Sequence, residues 1–183
     1  LQKSVSKAEG FSPKISHACN RYSAAYVAAN GHHLSQFDIT LAFINSTLTD
    51  EKVYCRLPKH WGGEKVRLLR ALYGLKISPR KWFDTYRAFL ESTGWVMNAS
   101  EPGLFRKDDM VLSIYVDDSL ITGPDLVKVT HEMNAILKHF SGTVVEPIAT
   151  RSDGTVERDL LGATLEYNRE KRTMRIHMRD SIK

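Results

Sequence analysis

Apolar positions recur along this chain with two different periods, and the switches between them mark out the elements. From about 17 to 29 the chain is Ala-rich, with Ser16 placed as an N-cap and Asn30-Gly31 as a stop, so a helix is predicted. A strand is expected from about Leu34 to Asp38, then a turn near Asn45 and a strand near Val53 to Leu57. Ser78-Pro79, a cap followed by proline at the first helical position, opens a second helix. Its Trp82, Phe83, Tyr86, Phe89 and Leu90 keep helical spacing until Gly94 ends it. Leu104 to Thr122 predicts three short strands joined by two tight turns. A third helix runs from about Asp125 to Phe140, with Leu126, Val129, Met133, Ile136 and Leu137 on one face. Leu160 to His177 reads as a hairpin turning near Asn168 to Arg172. Residues 1–15 are polar, lack periodicity and are expected to lie loosely on the surface. With no repeat, linker or domain break, about 16–183 should form one α+β unit, an antiparallel sheet with helices on one face.

Composition adds little to that picture but removes several alternatives. The hydrophobic fraction of 42% over 183 residues is that of a globular chain with a real core. Leu1 in place of Met, and a polar end, lead us to expect a piece of something longer. The net charge of +5 hints at polyanionic partners without requiring them. It is unevenly placed, in Lys65, Arg67, Arg70, Lys76, Arg80, Lys81 and Arg87 around the single acid Asp84, and again in Arg169, Lys171, Arg172, Arg175 and Arg179. Either cluster by itself reads as a solvated face. Cys19 and Cys55 lack any C-x-x-C spacing, so neither a disulfide framework nor a structural zinc is indicated. His32-His33 would point to opposite faces of a strand, which suits a surface turn better than chelation. Without a signal peptide or an apolar run near ~18 residues, a soluble intracellular protein is expected, away from membranes.

Candidate chemistry begins with two carboxylates in a turn. Asp117-Asp118 follow Tyr115-Val116 and sit between the apolar runs Met110 to Ile114 and Ser119 to Thr122. Asp108-Asp109 is a rival pair, because Asp suits turns for local reasons alone. Context separates them: Asp108 follows the polar Arg106-Lys107 and reads as a hairpin tip, whereas Asp117 should emerge from a buried sheet. A third acid, Asp38, ends a strand and enters the apolar stretch Ile39 to Ile44. Three clustered carboxylates raise one another's pKa unless cations neutralise them. Two divalent ions about 3.5–4 Å apart would do so and could clamp an in-line phosphoryl transfer. Oxygen-only donors favour magnesium or manganese over zinc. The loop Leu72-Tyr73-Gly74-Leu75-Lys76 leads through Pro79-Arg80 into a helix beside several cations, suited to close backbone approach and phosphate contact, or simply to a loop with Trp82 in the core.

Taken in order, these segments resemble the reverse transcriptases of copia-type long-terminal-repeat retrotransposons. The resemblance spans about Phe11 to Met178 and is carried jointly by several motifs. These are Phe11-Ser12-Pro13, the helix with Arg21, Phe37-Asp38-x-x-x-Ala42-Phe43-x-Asn45, Val53-Tyr54, Leu72 to Lys76 with Pro79-Arg80 and Trp82, Tyr115-Val116-Asp117-Asp118, and Leu161-Gly162. It implies a right-hand polymerase palm with partial fingers and no thumb, copying an RNA or DNA template by adding dNTPs to a primer. Asp38 and Asp117 would hold two Mg2+ ions (Mn2+ a substitute), with Asp118 as third carboxylate and the Ile39 carbonyl as an extra ligand. Ala42 and Phe43 would floor the nucleotide site, Phe43 excluding a 2′-hydroxyl or else merely packing the sheet, with Tyr73 and Gly74 beside the nascent base pair. Tyr115, Lys76, Arg80, Leu161 and Gly162 would contact primer or template.

Departures from that family are equally specific. Only Leu1 to Gly10 precede the Phe-Ser-Pro segment, with Lys3 and Lys7 where basic finger strands are usual. Phe140 to Val145 contains no lysine after the third helix. The end at Lys183 is expected to leave a thumb, ribonuclease H and integrase to the rest of a polyprotein. A second reading therefore stands beside the polymerase: a truncated or decayed fragment that binds nucleic acid without catalysis.

Overall fold

A computed structural model describes residues 12–49 and 52–178. Leu1 to Phe11, and with them Lys3 and Lys7, lie outside it. The elements follow in the order α1 (His17–Asn30), β1 (His33–Ile39), β2 (Tyr54–Arg56), β3 (Lys65–Arg67), α2 (Ser78–Ser92), β4 (Val96–Met97), β5 (Leu104–Lys107), β6 (Met110–Tyr115), β7 (Asp118–Gly123), α3 (Leu126–Phe140), β8 (Gly142–Val145), β9 (Ala149–Thr150), β10 (Val156–Leu160), β11 (Ala163–Asn168) and β12 (Thr173–His177). Mixed helices and antiparallel sheets thus agree with the α+β expectation.

Six strands form the main sheet in the order β4-β5-β6-β7-β1-β8, all pairs antiparallel. Strand alternation sends Phe37, Ile39, Phe105, Leu112, Ile114 and Ile121 to one face, where α2 and α3 cover them with Trp82, Tyr86, Leu90, Val129 and Ile136. Each fully buried large side chain there removes roughly 1.5–3 kcal/mol worth of apolar surface from water. Leu126, at the start of α3, stays about half exposed rather than joining that face.

The expectation of helices on one face needs correction. The other face is roofed by α1 and by a four-stranded sheet in the order β12-β11-β10-β9. Val27 and Ala28 of α1 join Leu165 and Tyr167 of β11 in a second core against Leu34. Between the roof and the main sheet lies a cavity of about 340 Å³, lined by Val27, Leu34, Leu120, Leu160 and Met174 among others. The tail is likewise more than one hairpin, because a tight turn at Leu161-Gly162 adds β10 before β11. Residues 12–15 are docked, not loose: Ile15 is buried and its amide bonds the Ile114 carbonyl.

Smaller corrections concern caps and histidines. Ser16 caps α1 as expected, accepting from the Cys19 amide, and Gly31 closes it in the left-handed region. Ser78, however, is already helical and fully buried, and its hydroxyl donates to the Leu72 carbonyl at 2.6 Å, tying the preceding loop to α2. His32 is buried beside Tyr26 instead of lying on a surface turn. Asp108 and Asp109 do form a plain hairpin tip between the paired Lys107 and Met110. Among the described residues, no helix is long and apolar enough to cross a membrane.

Candidate active site

Antiparallel register brings two of the three carboxylates together. Asp38 on β1 is the direct partner of Asp118 on β7, so both side chains project from the same, roofed face of the sheet. Asp117 lies between β6 and β7 in a two-residue turn closed by the Tyr115–Asp118 pair. The Ile39 amide donates to the Asp117 carbonyl at 3.2 Å, fastening the turn to the strand that carries Asp38. On the other edge of β1, Asp38 pairs with Thr143 and Ile39 with Gly142. A Cβ at Gly142 would stand 2.3 Å from the Asp38 carbonyl oxygen, so β8 can approach only because this residue is glycine. The lysine-free stretch after α3 thus forms β8, the strand that flanks Asp38.

The turn is strained and pinned. Val116 has φ of 64°, which a β-branched residue adopts at a cost of about 1–3 kcal/mol. Its carbonyl accepts a 2.7 Å hydrogen bond from the Trp82 indole of α2. One helical turn further on, the Tyr86 hydroxyl meets Ser119 Oγ at 3.1 Å. Trp82 is core, as expected, and also holds the acidic turn in place.

Burial pushes the Asp38 and Asp118 carboxyls up, and the charge of Asp117 pushes both further. Asp38 and Asp159 add to the rise at Asp118. Among the described residues none of the three carboxylates has an ion-pair partner. No three carboxylate, imidazole or thiolate groups are already gathered about one point among those residues. The donor set nevertheless fits a hard divalent cation, since it is all oxygen, electrostatically frustrated and unpaired. A measurable consequence follows for the metal-free protein. Raised folded pKa values mean that these groups' contribution is complete below the ordinary carboxylate value and is lost as pH rises through the raised values. Denaturant unfolding in chelator should therefore show wild type losing stability across that window relative to an Asp38→Asn/Asp118→Asn variant. A pH-independent difference between the two proteins would contradict it.

Around this centre the remaining sequence candidates divide. Ala42 and Phe43 are the buried residues of a 3-10 turn (Ala42–Asn45) that follows β1 after Thr40 and Leu41, and the Phe43 ring centroid lies 4.5 Å from that of Tyr73. The hydroxyl of Tyr73 is pushed up by burial and by Asp117 and Asp38, so it shares their field. Gly74 has φ of 89° with open space around it, a conformation that favours glycine. Tyr115 stands on the face of Asp118, and Lys14 donates to its hydroxyl at 2.8 Å. Leu161 and Gly162 both have positive φ and close the β10–β11 hairpin as a two-residue turn. Lys76 is exposed, and Arg80 is engaged with Asp84 on its own helix at 2.9 Å, so neither touches the carboxylates.

Sequence reasoning missed Gln36. It is buried two residues before Asp38 on the same face, and its Nε2 donates to the Asp159 carbonyl at 2.9 Å. Asp159 in turn accepts from the Gly162 amide, and Arg158 reaches the Val145 carbonyl of β8. The Leu161-Gly162 hairpin is thus mounted on the acidic strand and its neighbour. A glutamine in an alternating strand carries no local signal of such a partner.

A reverse transcriptase (RNA-dependent DNA polymerase) family profile matches residues 3–150. The retrovirus-related Pol polyprotein from transposon RE2 of Arabidopsis thaliana is 34% identical over 142 residues, covering 73% of this chain. The transposon Ty1-NL2 Gag-Pol polyprotein of Saccharomyces cerevisiae is 26% identical over 177 residues, covering 92%. The match spans about 10% of the length of each of these relatives. With a profile matched over most of its length, the chain belongs to the reverse transcriptase family, in the copia- and Ty1-like group of retrotransposon polyproteins.

Proposed function

We propose that this chain is the palm, with part of the fingers, of an RNA-directed DNA polymerase that extends a primer on an RNA or DNA template. The observation that carries the reading is the pairing of Asp38 with Asp118 under the Asp117 turn, beside Phe43 and Tyr73 on one side and the Leu161-Gly162 hairpin on the other. Asp38, Asp117 and Asp118, with the Ile39 carbonyl, would hold two Mg2+ or Mn2+ ions, which when bound neutralise the triphosphate and activate the primer hydroxyl. Ala42 and Phe43 floor the sugar site, and Tyr73 with Gly74 borders the new base pair. Tyr115, braced by Lys14, and the Leu161-Gly162 turn, braced by Gln36, hold the primer end. Lys76 contacts phosphate directly, whereas Arg80 first has to leave Asp84. Other parts of a polyprotein would supply the remaining nucleic-acid grip.

Extension of an oligo-dT primer on poly-A with Mg2+ tests the reading, and product that disappears on chelation supports it. A second reading, nucleic-acid binding without catalysis, draws on the absence of a ready-gathered ligand cage among the described residues. Salt-sensitive binding with no extension in Mg2+ or Mn2+ would select it. Phe43→Ala examines the sugar site separately. Discrimination against ribonucleotides should fall by at least roughly tenfold, the scale of one steric contact in a pocket. Unchanged discrimination alongside a stability loss of about 3–5 kcal/mol would make Phe43 a packing residue only.

A further inference from the structure

A two-stranded arm leaves the nucleotide side of the candidate site. Its base is the Ala71 amide bonded to the Ser46 carbonyl, between Phe43 and Tyr73 in sequence, followed by Leu48 bonded to Leu69 and Leu68 to Val53. β2 and β3 continue the ribbon, and a 3-10 turn (Lys59–Trp61) makes its tip.

The cations that look like one run in the sequence separate in space. On α2, Arg80 and Arg87 are neutralised by Asp84 and Glu91. On the arm, Tyr54, Arg56, Lys65 and Arg67 all lie on the exposed face, with Cys55 and Val66 turned the other way. Arg56 and Lys65 are direct cross-strand partners, an arrangement of like charges that destabilises a hairpin unless an anion relieves it. No carboxylate among the described residues pairs with Arg56, Lys65 or Arg67. The Lys65 ammonium sits 5.0 Å over the Tyr54 ring, which holds it on this face. Beyond them, at the tip, Trp61 is 68% exposed. A solvated basic face explains the lysines and arginines but not a largely exposed indole at the end of a like-charge pair whose Arg56 guanidinium is bonded to the Gly63 carbonyl at 3.2 Å and to no carboxylate among the described residues.

We propose that this arm is a docking surface for single-stranded nucleic acid, with Arg56, Lys65 and Arg67 on successive phosphates and Trp61 stacked on a base. The chemistry is that of sequence-tolerant strand binding, a cationic track with an aromatic platform. Identification of that strand as template not yet copied rests on the polymerase reading.

The chain carries its own probe. Trp82 and Trp95 are each 1% exposed, so a base stacking from solvent can reach only Trp61 among the three tryptophans. Saturating oligo-dT should quench part of the tryptophan emission, and Trp61→Leu should remove that quenching while weakening binding about tenfold. Trp61→Leu should leave affinity for blunt duplex and the far-ultraviolet circular dichroism unchanged. Arg56→Ala and Lys65→Ala should each reduce the salt slope of oligo-dT binding by about 0.7. The proposal is overturned if oligo-dT leaves the emission unchanged, if blunt duplex quenches equally, or if Trp61→Leu binds oligo-dT as wild type does. Emission that instead shifts with protein concentration alone would assign Trp61 to self-association and overturn it too. Primer extension in the same preparation keeps the two ideas apart, since quenching without extension removes the polymerase reading and leaves the arm in place.

Discussion

Asp117→Asn is expected to reduce templated primer extension by about a thousandfold or more while leaving the metal-free protein at least as stable as wild type. The two halves of that expectation share one cause. Asp117 occupies a turn whose backbone is held by the Ile39 amide, and Asn adopts such turns as readily as Asp, so the fold loses nothing. What disappears is one negative charge, whose field raises the carboxyls of both Asp38 and Asp118. In the metal-free protein its removal relieves repulsion. In the proposed reaction it would remove a ligand from ions that supply several kcal/mol of charge stabilisation when bound, which sets the scale of the expected loss. Primer extension and denaturant unfolding on the same samples check it. Activity and stability falling together would mean that the variant had simply damaged the fold.

Trp82→Ala should cost about 3–5 kcal/mol, a large share of the roughly 5–15 kcal/mol available to a domain. The indole stacks on Tyr86 and meets Phe140 edge-on, each with ring centroids 5.1 Å apart, so its loss opens the middle of the main core. Trp82→Phe is the more telling change. It keeps most of the packing but leaves the Val116 carbonyl without its 2.7 Å donor, a loss of about 1–3 kcal/mol. Because Val116 already sits at a strained φ, the turn should relax and carry Asp117 with it. Extension by Trp82→Phe should therefore fall well beyond what its urea-measured stability accounts for. Parallel small losses in both would reduce Trp82 to packing alone.

Several elements were legible because their signals are local. Ser16 with Asn30-Gly31 bounded α1, the spacing of Trp82, Phe83, Tyr86 and Leu90 declared α2, and alternation about Asp108-Asp109 and Val116-Asp117 declared β5 to β7. Ser78 was misread because cap preference is a local statistic, while a 2.6 Å bond to the Leu72 carbonyl is decided by a loop six residues away. β8 carries no periodic signal, since its place is against Asp38, where the structure shows that Gly142 admits the close approach.

By itself the sequence determined which side chains are present, three carboxylates and Phe43 with Tyr73 among them, and the ordered motifs that mark a reverse transcriptase. Such identities survive in sequence because chemistry depends on functional groups at fixed positions. Tertiary structure decided which of them meet. Register alone made Asp38 the partner of Asp118, a helix from elsewhere in the chain pinned Val116, and Gln36 tied the Leu161-Gly162 hairpin to the acidic strand. It also divided one basic run into a helix face where Arg80 and Arg87 are neutralised and an arm whose Lys65 and Arg67 have no carboxylate partner among the described residues. Pairings of this kind depend on contacts between residues far apart in the chain, where neither propensity nor period carries information.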